Sequence, residues 1–120
     1  MNRVGGIIRF TVDGAEVRAK GGFTYNLGLN KRETITGTGK VAGYKEMPQP
    51  AFIEGALTDT IDFDMKALIL TDGATVILEL ANGKSVVLRD AYFVGEGEGT
   101  TEEGEVKIRF ESISQAELIS

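Results

Sequence analysis

The stretch Gly43-Tyr44-Lys45-Glu46-Met47-Pro48-Gln49-Pro50-Ala51-Phe52-Ile53-Glu54-Gly55 divides the chain into two blocks. It contains both prolines, and the sequence on either side of it has the alternation that is typical of β-strands. A polar segment leads into it from Asn30, so we predict one irregular loop over about residues 30–50. A loop of that length in a small domain is usually functional, or is disordered until a partner orders it. The stretch therefore indicates a protein whose function is assembly.

Both blocks around this stretch alternate apolar and polar residues with a period of two, which predicts half-buried strands. Asp13-Gly14 and Asn82-Gly83 are typical of tight hairpin turns between such strands. We therefore predict a mostly β fold, an antiparallel β-sandwich or barrel of about seven strands. The predicted strands cover residues 7–12, 15–20, 23–29, 52–58, 75–80, 85–94 and 106–111.

Residues 62–70 depart from this alternation and predict one short α-helix lying on the sheets. Phe63, Ala67 and Leu70 recur at helical intervals. Asp62 or Asp64 can cap the helix by accepting hydrogen bonds from backbone N–H groups. Residues 95–104, GEGEGTTEEG, join two predicted strands and are expected to form a mobile acidic loop.

The composition limits the classes of protein that this chain can belong to. Its 120 residues suit a single domain over 1–120. No apolar run approaches the roughly 18 residues of a membrane helix, and residues 1–6 lack the apolar core of a secretion signal, so we expect a cytoplasmic site of synthesis. With no cysteine and no histidine, the chain lacks disulfides, thiolate metal sites and the commonest general base. The net charge of −5 argues against a broad nucleic-acid-binding surface.

Three groups of residues are candidate chemical sites, and each has a simpler interpretation. Gly37-Thr38-Gly39-Lys40 lacks the upstream glycine and the following hydroxyl of a phosphate-binding loop, so a polar loop is favoured. Asp59, Asp62 and Asp64 could act as acid and base or hold a metal, but helix capping accounts for them. Five glutamates could collect calcium but lack the spacing of a calcium loop, which favours a solvated loop. These glutamates are Glu96, Glu98, Glu102, Glu103 and Glu105.

Charge is unevenly distributed along the chain. Lys31, Arg32, Lys40 and Lys45 lie in or beside the predicted loop, whereas acidic residues concentrate toward the C-terminal half. This asymmetry suits a subunit that binds copies of itself head to tail, basic end to acidic end. Scattered solvated charge explains it equally well, and the sequence leaves both interpretations open.

The motifs resemble those of the Mu-like phage tail tube protein family. Residues 43–48, GYKEMP, followed by Pro50 and Ile53-Glu54-Gly55, resemble the central signature of that family. Residues 80–84, LANGK, with residues 88–91, LRDA, resemble its second signature, and residues 104–111, GEVKIRFE, resemble its last strand. With the opening hairpin included, the resemblance covers the chain from end to end.

The resemblance implies a tail-tube-like fold and a structural, non-enzymatic subunit without cofactors in a contractile-tailed phage. It implies hexameric rings that stack into a hollow tube, and long loops that reach neighbouring subunits. The expected partners are copies of the chain and the tail sheath, baseplate, tape-measure and tail terminator proteins. The expected location is the virion tail, after assembly in the host cytoplasm. We assign the subunit interface to Lys31, Arg32, Lys40, Tyr44, Lys45, Glu46, Pro48, Pro50 and Glu54.

Such a tube is expected to conduct DNA without binding it specifically. If each of six subunits supplies about four strands, at about 4.8 Å spacing and about 40° tilt, the barrel has a backbone diameter of about 48 Å. A lumen of that width admits a hydrated duplex, and neutral or acidic walls let it slide. The alternative interpretation is a free-standing β-barrel that binds a small ligand or peptide, which predicts a stable monomer with an ordered apolar pocket.

Overall fold

The computed structural model describes residues 7–60, 64–102 and 104–120. These residues form eleven strands and one short helix, α1 (Met65–Ile69). The strands are β1 (Ile7–Val12), β2 (Ala15–Val17), β3 (Ala19–Asn26), β4 (Lys31–Gly37), β5 (Lys40–Met47), β6 (Ala51–Thr58), β7 (Ala74–Leu80), β8 (Ser85–Phe93), β9 (Gly99–Thr100), β10 (Glu105–Ser112) and β11 (Glu117–Ile119). The predicted mostly β fold with one helix is confirmed.

Nine of the described strands form one continuous antiparallel sheet that folds back on itself. Its main path runs β2-β1-β7-β8-β10-β6-β3, with β11 beside β8 and β9 beside β10. The two halves of the path pack face to face, since the rings of Phe10 on β1 and Phe23 on β3 lie 5.1 Å apart. The result is the predicted sandwich or barrel, and we call this sheet with α1 the body.

Strand β8 passes from one layer of the body to the other. Residues 85–87 pair with β7 and β11, whereas Tyr92 and Phe93 pair with β10. Between these halves the pairing with β7 shifts register, and Asp90 adopts a φ of +54°. A residue in the left-handed region at a bulge bends a strand and increases its twist. The sheet folds over at this bulge.

The core lies between the two layers and is built from alternate residues of the long strands. Aromatic rings form its centre, with Phe110 6.2 Å from Phe10 and 5.7 Å from Phe93, measured between centroids. The fully buried side chains include Phe10, Ile53, Leu57, Val76, Leu78, Val86, Leu88, Val106 and Phe110. The period-two alternation therefore identified the buried faces of β7 and β10 correctly.

The helix is shorter than the predicted segment 62–70. It begins after Asp64, whose side chain accepts a hydrogen bond from the backbone N–H of Ala67 at 3.0 Å, so the predicted capping by Asp64 is confirmed. Asp62 and Phe63 lie outside the described residues. Within the ranges that the structure describes, no helix is long and apolar enough to cross a membrane.

Four of the described strands were not predicted: β4, β5, β9 and β11. Three of them lie in the two segments that were predicted to be irregular loops. The expected irregular loop over residues 30–50 is wrong, because β4 and β5 make most of it a regular hairpin. The acidic segment 95–104 contains β9, which pairs with β10, and its Glu103 lies outside the described residues. The prediction failed at both places because these strands have no apolar alternation. β11 is simply too short to carry a periodic signal.

Candidate assembly surface

Strands β4 and β5 form a two-stranded hairpin, residues 31–47, which we call the arm. Its register runs from Lys31 opposite Met47 to Gly37 opposite Lys40, around a two-residue turn of Thr38 and Gly39. Gly39 has a φ of +74°, which glycine adopts without steric cost. Gly37-Thr38-Gly39-Lys40 is therefore the tip of a hairpin and not a strand-to-helix phosphate loop.

The arm buries almost nothing of itself. Every arm residue is exposed except Glu33, which is partly buried, and β4 and β5 form a sheet separate from that of the body. Its large apolar side chains face solvent, with Val41 71% and Tyr44 56% exposed. The molecule measures 59 × 39 × 29 Å and its radius of gyration is 16.9 Å, against about 14 Å for a compact chain of this length.

Charged side chains pair across both faces of the arm. On one face Glu33 bridges Lys31 at 3.2 Å and Lys45 at 3.6 Å. On the other, Arg32 lies 3.7 Å from Glu46 and 4.7 Å from the centre of the Tyr44 ring. The structure thus brings together five predicted interface residues in two clusters. Sequence reasoning missed Glu33, which a register for the hairpin would have placed opposite Lys45.

Lys40 differs from the other cations of the arm. Among the described residues it has no ion-pair partner, whereas Lys31, Arg32 and Lys45 each have one. It lies beside the turn and is followed by the exposed Val41. Within the described residues, the tip of the arm therefore presents one unpaired positive charge on one face and one exposed apolar side chain on the other.

The two segments that connect the arm to the body are joined to each other beside the two prolines. Pro48 and Pro50 flank Gln49, whose side-chain nitrogen donates to the Leu29 carbonyl oxygen at 2.9 Å. Proline fixes φ near −65°, which reduces the freedom of this connection. Asn30 donates to Glu46 at 3.3 Å on the same side. The two prolines of the predicted interface thus lie in the connection between the arm and the body.

Glu54 lies apart from the other predicted interface residues. It is on β6 in the body, where its carboxylate accepts a hydrogen bond from Arg109. Arg109 also donates to Glu111 at 2.7 Å and stacks on the Phe52 ring at 4.0 Å. Partial burial lowers the pKa of Arg109, but its bonds to Glu111 and Glu54 outweigh this and raise it above the usual value. Arg109 therefore stays protonated, and the two carboxylates balance its positive charge.

The carboxylates that were weighed as chemical sites do not converge in the described residues. No group of three or more potential ligands that could hold a metal ion occurs there. Asp64 caps α1, and the pKa of Glu96 is raised because its carboxyl shares a hydrogen bond with that of Glu98. Asp62 and Glu103 fall outside the described residues. Helix capping accounts for Asp64, a shared hydrogen bond for Glu96 and Glu98, and an ion pair with Lys20 for Glu105.

The body also presents sheet edges. β2 and β3 stand at the two ends of its main path, so one side of each carries no ladder to a neighbouring strand in the described part of the chain. Exposed edges are sites at which another chain can add a strand. The arm and these edges are the two features of the molecule that are suited to assembly.

Comparison with known proteins identifies relatives of this architecture. A family model described as "Phage tail tube protein" matches residues 1–117. No curated protein sequence matches the chain. Among solved structures, the fold is similar to a chain in the cryo-EM structure of the anti-feeding prophage cap, the tube-terminating cap, with a TM-score of 0.59 and 12% identity over 93% of this chain and 88% of that chain.

Proposed function

Because the chain belongs to the phage tail tube protein family, we propose that it forms hexameric rings that stack into a hollow tube conducting DNA. Its role as a structural component of a phage tail follows from the family. The ring, the stacking and the passage of DNA are the finer steps proposed here. The virion tail is its place of action, and assembly occurs in the host cytoplasm.

The arm is the observation that carries this proposal. A hairpin that buries no face of its own gains little from the hydrophobic effect, and an isolated two-stranded hairpin is marginally stable in water. Its exposed Ile35, Val41, Tyr44 and Met47 are apolar area that a neighbouring subunit can bury. We therefore keep the interface assignment for the arm and its base. Glu54 remains a proposed contact of the body.

Closure of a ring would cover the exposed strand edges of the body. If the edge of one subunit lies against that of the next, six subunits related by rotation close without leaving an edge exposed within the ring. A closed point group also limits growth to the tube axis, because open heterologous contacts within the ring would form fibres without a lumen.

The charge distribution favours sliding of DNA over its retention. Three arginines on the surfaces of the sheet are paired: Arg9 with Glu79 at 3.3 Å, Arg89 with Glu117 at 2.9 Å, and Arg109 with Glu54 and Glu111. The net charge of −5 has the sign of the DNA backbone. Arginines that are paired with carboxylates hold phosphate groups weakly, so walls of this kind let a duplex pass without specific binding.

The remaining proposed partners are those of a contractile tail: the sheath outside the tube, the baseplate and terminator at its ends, and the tape-measure protein within it. The rival function, a barrel that binds a ligand inside, is not favoured. The space between the layers is filled by side chains such as Phe10, Leu78 and Phe110, each with no exposed area.

Assembly is tested by size measurement and electron microscopy of the purified protein at rising concentration. We expect rings of six subunits and tubes. In hydrogen exchange of the dilute monomer, we expect the arm amides to be weakly protected and the β7 amides to be strongly protected. In the tube, we expect the arm amides to be better protected than in the monomer. A compact monomer at every concentration, with no tubes nucleated by other tail components, would sink the proposal.

A further inference from the structure

We propose that the tip of the arm, Lys40 and Val41, docks into an acidic groove on the body of a second copy, between the β1–β2 hairpin and α1. This inference rests on the proposed self-assembly and names the surface that receives the arm. The groove has a volume of about 380 Å³ and is lined by residues of β1, β2, α1 and the end of β6.

The groove combines an apolar floor with an acidic rim. Val12 and Val17 are partly buried and pack against the core, and Leu68 of α1 is 7% exposed. Its exposed lining includes three carboxylates and one cation, which gives a formal charge of −2. These charged residues are Asp13, Glu16, Asp64 and Arg18.

The carboxylates of the rim have capacity for a further donor. Asp13 accepts from the Thr75 backbone N–H through Oδ1 at 2.8 Å, and Asp64 accepts from Ala67 through Oδ1 at 3.0 Å. Each keeps a second oxygen, because an ionised carboxylate accepts through both. An incoming ammonium group would therefore find acceptors without breaking the turn at Asp13 or the helix cap at Asp64.

The tip of the arm is complementary to this groove in both respects. Lys40 brings the positive charge that is unpaired within the described residues, and Val41 brings apolar area that is 71% exposed. Charge complementarity of this kind fixes register and suppresses wrong partners. Docking would bury Val41 against the apolar floor and place Lys40 against the rim.

The arm and the groove lie toward opposite ends of β6. The arm joins β6 at Ala51, whereas Thr58, at the other end, lines the groove. Eight residues of strand separate these ends by roughly 23 Å. A contact between one end of a copy and the opposite end of the next is heterologous, so it repeats along an axis. Stacking is the kind of assembly that it produces.

A second cavity, of about 520 Å³, is less suited to the tip. Its charged lining has a formal charge of −1 and consists of Glu54 and Arg109, which already pair with each other, of Glu96 and Glu98, which share a hydrogen bond, and of Lys107. Lys107 would repel the incoming Lys40. The second cavity therefore serves as an internal control for the docking proposal.

A charge swap tests the contact. Glu16 has no hydrogen bond or ion pair among the described residues, so Glu16→Lys should leave the fold unchanged. We expect Lys40→Glu and Glu16→Lys each to raise the lowest concentration at which tubes form by roughly tenfold. The double variant should return to within about twofold of the original protein. Lys40→Glu combined with Glu102→Lys, on another acidic segment, should not be rescued. Failure of the first rescue overturns the docking.

Cross-linking locates the contact directly. The chain has no cysteine, so thiol chemistry is confined to introduced positions. Tubes of a Lys40→Cys, Glu16→Cys variant treated with a short bismaleimide should give ladders of covalent multimers. A Lys40→Cys, Lys107→Cys variant, which probes the second cavity, should not. Tubes that form without the first ladder overturn the docking and leave the proposed function standing. If the unsubstituted protein never assembles, both proposals are overturned.

Discussion

The body and the arm are built from the same local structure, yet different forces stabilise them. In the body, β6, β7 and β10 each bury alternate side chains against the opposite layer. In the arm, β4 and β5 pair along their length with one register shift between Ile35 and Thr36, but none of their residues is buried. The comparison teaches that strand pairing alone does not make a core. The body can fold on its own apolar area, whereas the arm depends on cross-strand pairs.

The energies of the two regions differ accordingly. Cross-strand pairs contribute roughly 0.2–1 kcal/mol each, and exposed ion pairs contribute about as little. Burial of a large apolar side chain contributes roughly 1.5–3 kcal/mol. The arm therefore belongs to the low-stability end of the molecule, from which binding elements are drawn. Each change described below is made in one of the two regions, so that its effect on folding or assembly can be assigned to that region.

Removal of the arm should produce the largest effect on assembly and a small one on folding. Lys31 lies opposite Met47, so the ends of the deleted segment are close enough for an Asn-Gly turn to replace residues 31–47. We expect complete loss of tubes and a free energy of unfolding within about 1 kcal/mol of that of the full chain. Urea titration and microscopy measure both. An unfolded variant would mean that the arm is needed for the core.

Truncating one aromatic side chain in each region should reproduce this contrast in the monomer. Phe110 has no exposed area and contacts two other rings, so Phe110→Ala should cost about 3–5 kcal/mol of unfolding free energy. Tyr44 is 56% exposed and holds only the Arg32 contact, so Tyr44→Ala should cost below about 1 kcal/mol.

Denaturant titration of both variants in dilute solution supplies the measurement. Phe110→Leu is the matched control, since it keeps most of the buried apolar volume and should fall between the two. Similar losses of unfolding free energy from Phe110→Ala and Tyr44→Ala would show that the arm is packed in solution. They would contradict the proposed difference between the arm and the body.

Substitutions at the bend in β8 should change the stability of the protein less than substitutions in the core do. Asp90 has a φ of +54°, a conformation that costs a residue with a Cβ roughly 1–2 kcal/mol. Asp90→Gly should therefore leave the melting temperature equal or raised by a few degrees. Asp90→Val, with a branched Cβ in the same position, should lower it by several degrees. A lower melting temperature for the glycine variant than for valine would contradict the role of the bulge.

The sequence predicts the body better than the arm for a physical reason. Alternation of Val106, Ile108 and Phe110 records burial on one face, so strands with a buried face can be read directly. The arm has nothing to bury against its own chain, so Thr34-Ile35-Thr36 and Val41 reveal it only through β-propensity around a glycine turn. Its proposed interface residues were assigned from the uneven charge and from the resemblance to a family. Their pairing through Glu33 needed the register, which polar strands specify weakly.

The smallest expected effect concerns the edge of the body, where β11 pairs with β8. Arg89 donates to Glu117 through Nε at 2.9 Å and through Nη2 at 3.2 Å, a fork that joins the two strands. These hydrogen bonds and the charge of Arg89 lower the pKa of the Glu117 carboxyl below its usual 4.5. A carboxyl group whose pKa is lower in the folded state than in the unfolded state stabilises the folded state at pH values above the unfolded-state pKa. The contribution disappears as the pH falls through the lowered value.

Acidification below about pH 4.5 should therefore loosen β11 before the rest of the body. The effect should be small, because both side chains are exposed to solvent that screens them. Protection factors of the β11 amides, corrected for intrinsic exchange, should fall over this window while those of β7 stay constant. Glu117→Gln removes the titrating group, so its β11 should be loosened already at neutral pH and should lose little more on acidification. An equal pH response in both proteins would show that some other group holds β11 in place.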